Sequence, residues 1–357
     1  MKKYPVLEID LKKLKENITN ILKKSNEKNI NITGVIKGVN GDEKIIKCFI
    51  SSGVKSIASS RYEHLKKVKE ISKSITTMMI RIPLLTEKEE IIKYCDISLN
   101  SEYKTIKVLN EEAKRQNKTH KIILMVDLGD LREGYFNYEE LINDAVKIEN
   151  ELENIKLIGI GTNLGCYGSV KPTVKNLNLL GDIKEKIEKK IDRKLEIISG
   201  GSSTSYELIL NNTIPKCINN LRIGEHILLR YDLPTIKDTE IHNDAFILKT
   251  TVIEKKVKPT YPIGERYKDS FGNIKEYEDL GEKTRIILGI GNQDIGSYTK
   301  IKPINKDIKI IGASSDHLIA ITDKNIEVGD ELSFLLTYES LLFLTQSPYI
   351  AKKYKGN

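Results

Sequence analysis

Along the first two-thirds of the chain the apolar positions switch period repeatedly. Leu11, Leu14, Ile18, Ile21 and Leu22 recur at helical spacing behind Asp10, a residue able to cap their helix. A compact apolar run, ITGVIK at 32–37, then reads as a strand, and EKIIKCFISSG at 43–53 as a helix ending at Gly53. The exchange continues. Strands are expected at 54–59, 76–83, 96–100, 121–127, 155–163, 195–201 and 217–224, and helices at 61–73, 86–95, 101–116, 138–152, 172–190 and 204–212. Pro83 closes one strand, Ser101 opens a helix, and Pro172 stands near the start of another. Strands that alternate with helices argue for βαβ units and a parallel sheet. Eight such strands in about 220 residues have the size and count of a (β/α)8 TIM-type barrel. A doubly wound open sheet is the alternative.

From Leu233 the texture changes. Long helical patterns give way to the short strand-like segments 245–259, 284–291, 307–314 and 317–322, separated by Gly, Pro, Asn and Asp. The expected organisation is a barrel over residues 1–232, followed by a mostly antiparallel β domain over 233–357 with a tail returning to the barrel's site. No internal repeat or low-complexity linker divides them.

Composition narrows the function classes. The chain of 357 residues is 39% hydrophobic and 30% charged, enough to bury a core. The net charge of +8 comes from lysines interleaved with glutamates along helices, a pattern of solvated faces. With no tryptophan and six phenylalanines to stack on bases, nucleic acid is not an expected partner. No apolar run reaches the ~18 residues of a membrane helix, and the opening residues lack a signal-peptide core. Cys48, Cys95, Cys166 and Cys217 form no CxxC pair, and the five histidines are scattered. No metal site or disulfide framework is expected, and a cytoplasmic location suits free thiols.

In such a barrel the chemistry gathers at the C-terminal ends of the strands. The first end carries Lys37, just before Gly38, Asn40 and Gly41. A lysine there is either an ordinary strand-end residue pointing at solvent or an amine wanted for chemistry. The fifth end leads to Asp127 and Arg132, the sixth to Thr162, Asn163 and Cys166, and the eighth to Arg222, Gly224 and Glu225. The seventh ends in SGGSSTS (199–205), where Ser202, Ser203 and Thr204 offer hydroxyls and a helix start offers N–H groups. That cluster is either a plain capped turn or a phosphate-binding loop. An amine on one rim and an anion loop across the mouth together suit pyridoxal 5'-phosphate.

The ordered segments GVIKGVNGD, MVDLGDLREGY, GIGTNLGCYG, SGGSSTS, LRIGEH, GIGNQDIG, GASSDHLI and SPYIAKKY span nearly the whole chain. Their order and spacing resemble the alanine racemase family of pyridoxal-phosphate enzymes, and within it the branch that acts on ornithine. The resemblance implies that Lys37 is the Schiff-base lysine, that Arg132 contacts the cofactor's phenolic oxygen and that Arg222 partners its ring nitrogen. It places the phosphate on Ser203, the Gly224–Glu225 backbone and the Tyr354 hydroxyl. It also implies a head-to-tail homodimer in which the β domain of one subunit covers the barrel mouth of the other.

Arg222 fits racemisation physically, because a guanidinium has no proton to give the ring nitrogen and so leaves the ring a weaker electron sink. Three positions depart from the family pattern. Asn292 stands where a partner tyrosine usually serves as second acid/base, Met125 replaces a frequently carbamylated lysine, and Asn163 replaces a histidine near the ring. The second proton carrier is therefore open between Cys166 and His317. Asp316, in GASSDH with Ser315, is the expected reader of a substrate's distal ammonium, with Asp294 as a helper. The expected activity is racemisation of ornithine or another basic amino acid. Alternatives are a decarboxylase, an aldolase or an alanine racemase on the same fold, or a non-catalytic binder of the cofactor. Metal-dependent members need a His and Cys pair in the β domain, which has no cysteine.

Overall fold

The structure is a computed structural model and describes residues 4–231, 233, 237–268, 272, 274 and 276–356. The chain divides into two compact units, Leu14–His242 and a second formed by Met1–Lys13 with Asn243–Asn357.

Strand β1 (Val6–Asp10) leads into α1 (Leu11–Asn26), and Asp10 Oδ1 accepts from Lys13 N–H at 3.0 Å, the expected cap. The larger unit then alternates β2 (Asn31–Val35), α2 (Glu43–Ser51), β3 (Ser56–Ser59), α3 (Tyr62–Ile71), β4 (Thr76–Met79), α4 (Lys88–Tyr94), β5 (Ile97–Asn100), α5 (Tyr103–Arg115), β6 (His120–Met125), α6 (Tyr138–Glu151), β7 (Ile155–Gly161), α7 (Val174–Ile191), β8 (Ile197–Ser199), α8 (Tyr206–Leu210), β9 (Asn220–Ile223) and α9 (Glu225–Leu229). Strands β2 to β9 close a parallel barrel. The helices form where the apolar spacing and caps agree: Asp42 caps α2, Asn137 caps α6, and Thr173 with Asn176 makes a capping box on α7. Val35, Ala58, Met78, Ile97, Leu99, Ile123, Met125 and Ile158 fill one shared core cluster within the barrel.

The second unit continues with β10 (Phe246–Pro259), β11 (Glu282–Leu288), α10 (Asn292–Ile295), β12 (Ile301–Pro303), β13 (Ile308–Ala313), β14 (Leu318–Thr322), β15 (Glu331–Leu336), α11 (Tyr338–Gln346) and β16 (Ala351–Lys355). Its sheet runs β12-β15-β10-β11-β14-β13, all antiparallel, and β1 pairs antiparallel with β10 and parallel with β16. No helix among the described residues is long and apolar enough to cross a membrane.

The expected division after residue 232 therefore shifts. The barrel unit extends to His242, and the first thirteen residues join the β unit. The reason is long-range pairing. Leu7 and Ile9 are fully buried, and the ladder that buries them is set by Phe246–Lys249 and Ala351–Lys355. The two helices α10 and α11 lie outside the expected strand-like segments.

Candidate active site

Lys37 does not end β2. The strand stops at Val35, and Lys37 opens a single 3₁₀ turn, Lys37–Val39, closed by Asn40 in the left-handed region (φ 52°). His64 holds this turn from α3. Its Nε2 lies 3.0 Å from Asn40 Oδ1, its Nδ1 lies 2.8 Å from Ser59 Oγ, and its ring covers Gly41. Gly41 has φ +58°, and a Cβ there would sit 2.8 Å from that ring, so glycine is required. The bonds satisfy a neutral imidazole, and burial pushes its pKa down to about 4. Burial likewise lowers the Lys37 pKa, with Arg132 and Arg222 acting in the same direction and Cys166 and Glu133 against it. The amine is thus biased toward the neutral, nucleophilic form.

Arg222, on β9, is 4% exposed. Its Nη2 donates to Thr162 O at 2.7 Å and its Nη1 to Ser199 Oγ. From Ser199 a buried chain runs on: Ser199 Oγ donates to Asn220 Oδ1 (2.6 Å), Asn220 Nδ2 to Thr33 Oγ1 (3.1 Å), and Thr33 Oγ1 to Ser56 Oγ (3.3 Å). The guanidinium is held by neutral oxygens alone and makes no ion pair among the described residues. Burial lowers its pKa to about 10, still far above neutrality.

The loops after β6 and β7 form the facing wall. Arg132 grips Glu133 through two hydrogen bonds. Asn163 Nδ2 donates to Cys166 Sγ at 2.8 Å, and Cys166 is exposed. This loop is organised by Asp130, whose carboxylate is 1% exposed. It accepts from the N–H groups of Gly165 (3.0 Å), Cys166 (3.3 Å), Tyr167 (3.0 Å) and Val170 (3.1 Å). Burial would raise the Asp130 pKa, but these backbone donors outweigh it and hold the group below the usual carboxylate range. Met125, expected at the carbamylated-lysine position, is fully buried in the barrel core cluster.

Beside them, the segment after β8 forms a 3₁₀ turn, Ser203–Ser205. Ser203 Oγ accepts from His226 N–H at 3.2 Å, which leaves its own proton to donate. Ser202 and Thr204 share a hydroxyl contact of 3.2 Å, and Thr204 also donates to Leu164 O at 2.9 Å. Gly224 precedes α9, which begins at Glu225. The backbone N–H of Arg222 bonds Gly201 O at 2.9 Å, so this turn and the guanidinium share one frame.

The remaining expected residues belong to the β unit. Asn292 opens α10, and its Oδ1 accepts from Tyr298 N–H at 3.0 Å. The N–H groups of Asn292 and Gln293 bond Ser314 O (2.9 Å) and Ser315 O (3.1 Å), joining the two loops. A Cβ at Gly291 would lie 2.2 Å from Ser315 O, so only glycine permits this approach. Ser315 Oγ donates to exposed Asp316 at 2.8 Å. His317 is exposed and engaged through its backbone with Ser314. Asp294 is already taken by Ser347 Oγ at 2.6 Å. Tyr354 lies on β16 opposite Ile9 of β1.

The barrel unit thus brings Lys37, Arg132, Cys166 and Arg222 into mutual electrostatic reach. Three contributors escape a reading of the sequence. Glu133 had a local signal, an opposite charge beside Arg132. Asp130 and His64 had none, because the groups they hold lie 24–40 residues away along the chain. Among the described residues no group of His, Cys, Asp and Glu is arranged to hold a metal ion.

A profile of the family "Alanine racemase, N-terminal domain" matches residues 9–229. The chain is 43% identical to the ornithine racemase of Acetoanaerobium sticklandii over 354 residues, 98% of this chain and 99% of that protein. It is 34% identical to the lysine racemase of Thermotoga maritima over 355 residues, 99% of each. Two solved structures share the fold. The alanine racemase of Streptomyces coelicolor A3(2) has a TM-score of 0.78 at 14% identity, covering 99% of this chain and 98% of that one. The alanine racemase of Clostridium difficile 630 has a TM-score of 0.75 at 20% identity, covering 99% and 96%. With a family profile over more than half its length and two full-length relatives of this kind, the chain belongs to the alanine racemase family.

Proposed function

We propose that this chain racemises ornithine, or a closely similar diamino acid, with pyridoxal 5'-phosphate held in the barrel mouth. One observation carries the reading. A lysine amine whose pKa burial lowers lies within electrostatic reach of a buried guanidinium that only neutral oxygens hold, on a chain alike end to end to an ornithine racemase. When bound, the cofactor withdraws electrons from the substrate's Cα and acidifies its proton. Lys37 would hold the cofactor through its amine and would move a proton at Cα. Arg222 would face the ring nitrogen with donors still to spare, and as a permanent cation it surrenders no proton. Arg132, steadied by Glu133, and Asn163 would border the ring. Ser203, with Ser202, Thr204 and the Gly224–Glu225 backbone, would hold the phosphate.

A second copy would complete the site. Leu84, Leu85, Leu131, Phe136 and Tyr167 are all exposed on loops that follow barrel strands, an apolar rim that supports covering by another chain. The loop carrying Ser315 and Asp316 would come from that copy. Asp316 is the better reader of a distal ammonium, since each carboxylate accepts one serine hydroxyl but Asp316 is exposed and Asp294 is half-buried. The free thiols suit a reducing cytoplasm.

The test is chiral chromatography of L-ornithine, L-lysine, L-arginine and L-alanine after incubation with enzyme and cofactor. The expected result is D-ornithine formed fastest. No D-enantiomer from any basic amino acid would refute the reading. Lys37→Ala should lose the cofactor's visible absorbance and nearly all turnover. A variant racemising at a near-normal rate would remove Lys37 from its role.

A further inference from the structure

Inversion at Cα needs a proton to leave one face and another to arrive on the opposite face. Resting on the racemase reading above, we propose that Cys166 Sγ is the second proton carrier, acting opposite Lys37, and that Asp130 and Asn163 are the residues that position it.

The first argument is elimination within the barrel unit. The charges that act most strongly on Lys37 are those of Cys166, Arg132, Glu133 and Arg222. The two arginines keep their protons throughout. Glu133 has both carboxylate oxygens on Arg132. Cys166 is left, an exposed free thiol.

The second argument is geometric. A buried carboxylate is costly unless its oxygens are satisfied. Asp130 is satisfied by four N–H groups of one short segment, Gly165 to Val170, and that segment presents Cys166. Asn163 then fixes the sulfur itself, with its amide 2.8 Å from Sγ. Asn163 follows Thr162, whose carbonyl holds Arg222. The thiol is therefore tied to the frame that orients the guanidinium. His317, the other candidate, sits exposed on a β-unit turn with only backbone ties to Ser314.

The proton balance closes. In one direction Lys37 Nζ takes the Cα proton, breaking C–H and forming N–H, while Sγ–H breaks and a new C–H forms on the other face. The two carriers finish with exchanged protonation and are reset by solvent. The reverse reaction swaps their roles.

The test compares the holoenzyme with Cys166→Ala and Cys166→Ser. Racemisation is measured in both directions, and wash-in of deuterium at Cα is followed from D2O. The expected outcome is a loss of racemisation of at least ~100-fold, in the range of a lost acid/base group. Deuterium should still enter one enantiomer without inversion, because Lys37 still serves its own face. Melting of the cofactor-free chain should stay unchanged. Racemisation within ~10-fold of wild type would overturn the assignment while leaving the racemase reading intact, and a large selective loss in His317→Ala would then move the role there. Equal loss of exchange on both enantiomers would also overturn it. A wild-type chain inactive on every basic amino acid would overturn both readings together.

For the positioning residues, Asp130→Asn should lower kcat ~10-fold or more with KM within ~3-fold. In the cofactor-free protein it should speed amide exchange across 165–170 while the barrel strands stay protected. An unchanged kcat with faster exchange would reduce Asp130 to a structural part and remove it from the proposal.

Discussion

Replacing Ser199 by alanine tests whether Arg222 is a buried charge held by a chain of neutral hydrogen bonds. Ser199 Oγ accepts from Arg222 Nη1 and donates to Asn220 Oδ1, and all three residues are buried. A hydrogen bond to a charged group contributes about 1.5–3 kcal/mol, and an orphaned buried carbonyl costs about another 1 kcal/mol. The substitution should therefore destabilise the barrel by about 2.5–4 kcal/mol. Arg222→Met supplies the control, because without the guanidinium Ser199→Ala loses only the bond to Asn220 and should cost about 1 kcal/mol. The difference between the two backgrounds is the coupling energy, about 1.5–3 kcal/mol. Urea unfolding of the cofactor-free chain measures it, followed by far-UV circular dichroism because the sequence has no tryptophan. The slope against urea should not change between variants. Equal costs of Ser199→Ala in the two backgrounds would refute the chain, and would mean that Arg222 is held by Thr162 and packing alone.

Two further outcomes follow from the same geometry. His64 and His120 are both buried and both pushed down to about 4 by burial, with His120 bonded to Ser98 Oγ at 2.8 Å. The unfolded chain takes up these protons below about pH 6.5 and the folded chain does not, so their contribution is full above that pH and is lost as pH falls toward 4. Between pH 7 and 5 each should remove about 2 kcal/mol at ~1.4 kcal/mol per pH unit, and His120→Gln should roughly halve the loss; a flat urea midpoint over that range would contradict the neutral assignment. For substrate choice, Asp316→Asn should lower kcat/KM for ornithine by about 10- to 150-fold, the worth of a charge-assisted bond of roughly 1.5–3 kcal/mol, and leave alanine turnover level. Equal losses on ornithine and alanine would make Asp316 a support of the fold instead.

The barrel could be read from the sequence because each βα unit announces itself locally. ITGVIK is β-branched and is followed by Gly38 and Gly41, the helices carry an apolar stripe and polar caps, and the period changes at each junction. Strand ends of a barrel converge whatever their sequence separation, so Lys37, Arg132, Asn163, Cys166 and Arg222 could be grouped once eight units were counted. Pairing across long separations was not legible. VLEID is five residues with no period of its own, and it becomes a strand of the β unit only because 246–249 and 351–355 flank it. The same holds for the groups that tune the site. Asp130 looks like a turn aspartate until four N–H groups from 165–170 close on it, and His64 looks like any helix residue until its ring covers Gly41. Whether Ser199, Asn220, Thr33 and Ser56 form a chain depends on the register of β8, β9, β2 and β3 side by side. Local pattern determines which elements form and which residues stand near the strand ends, because it acts over a few residues of backbone. Burial, hydrogen-bond partners and the state of the Lys37 amine depend on what packs around them, and only the tertiary structure decides that.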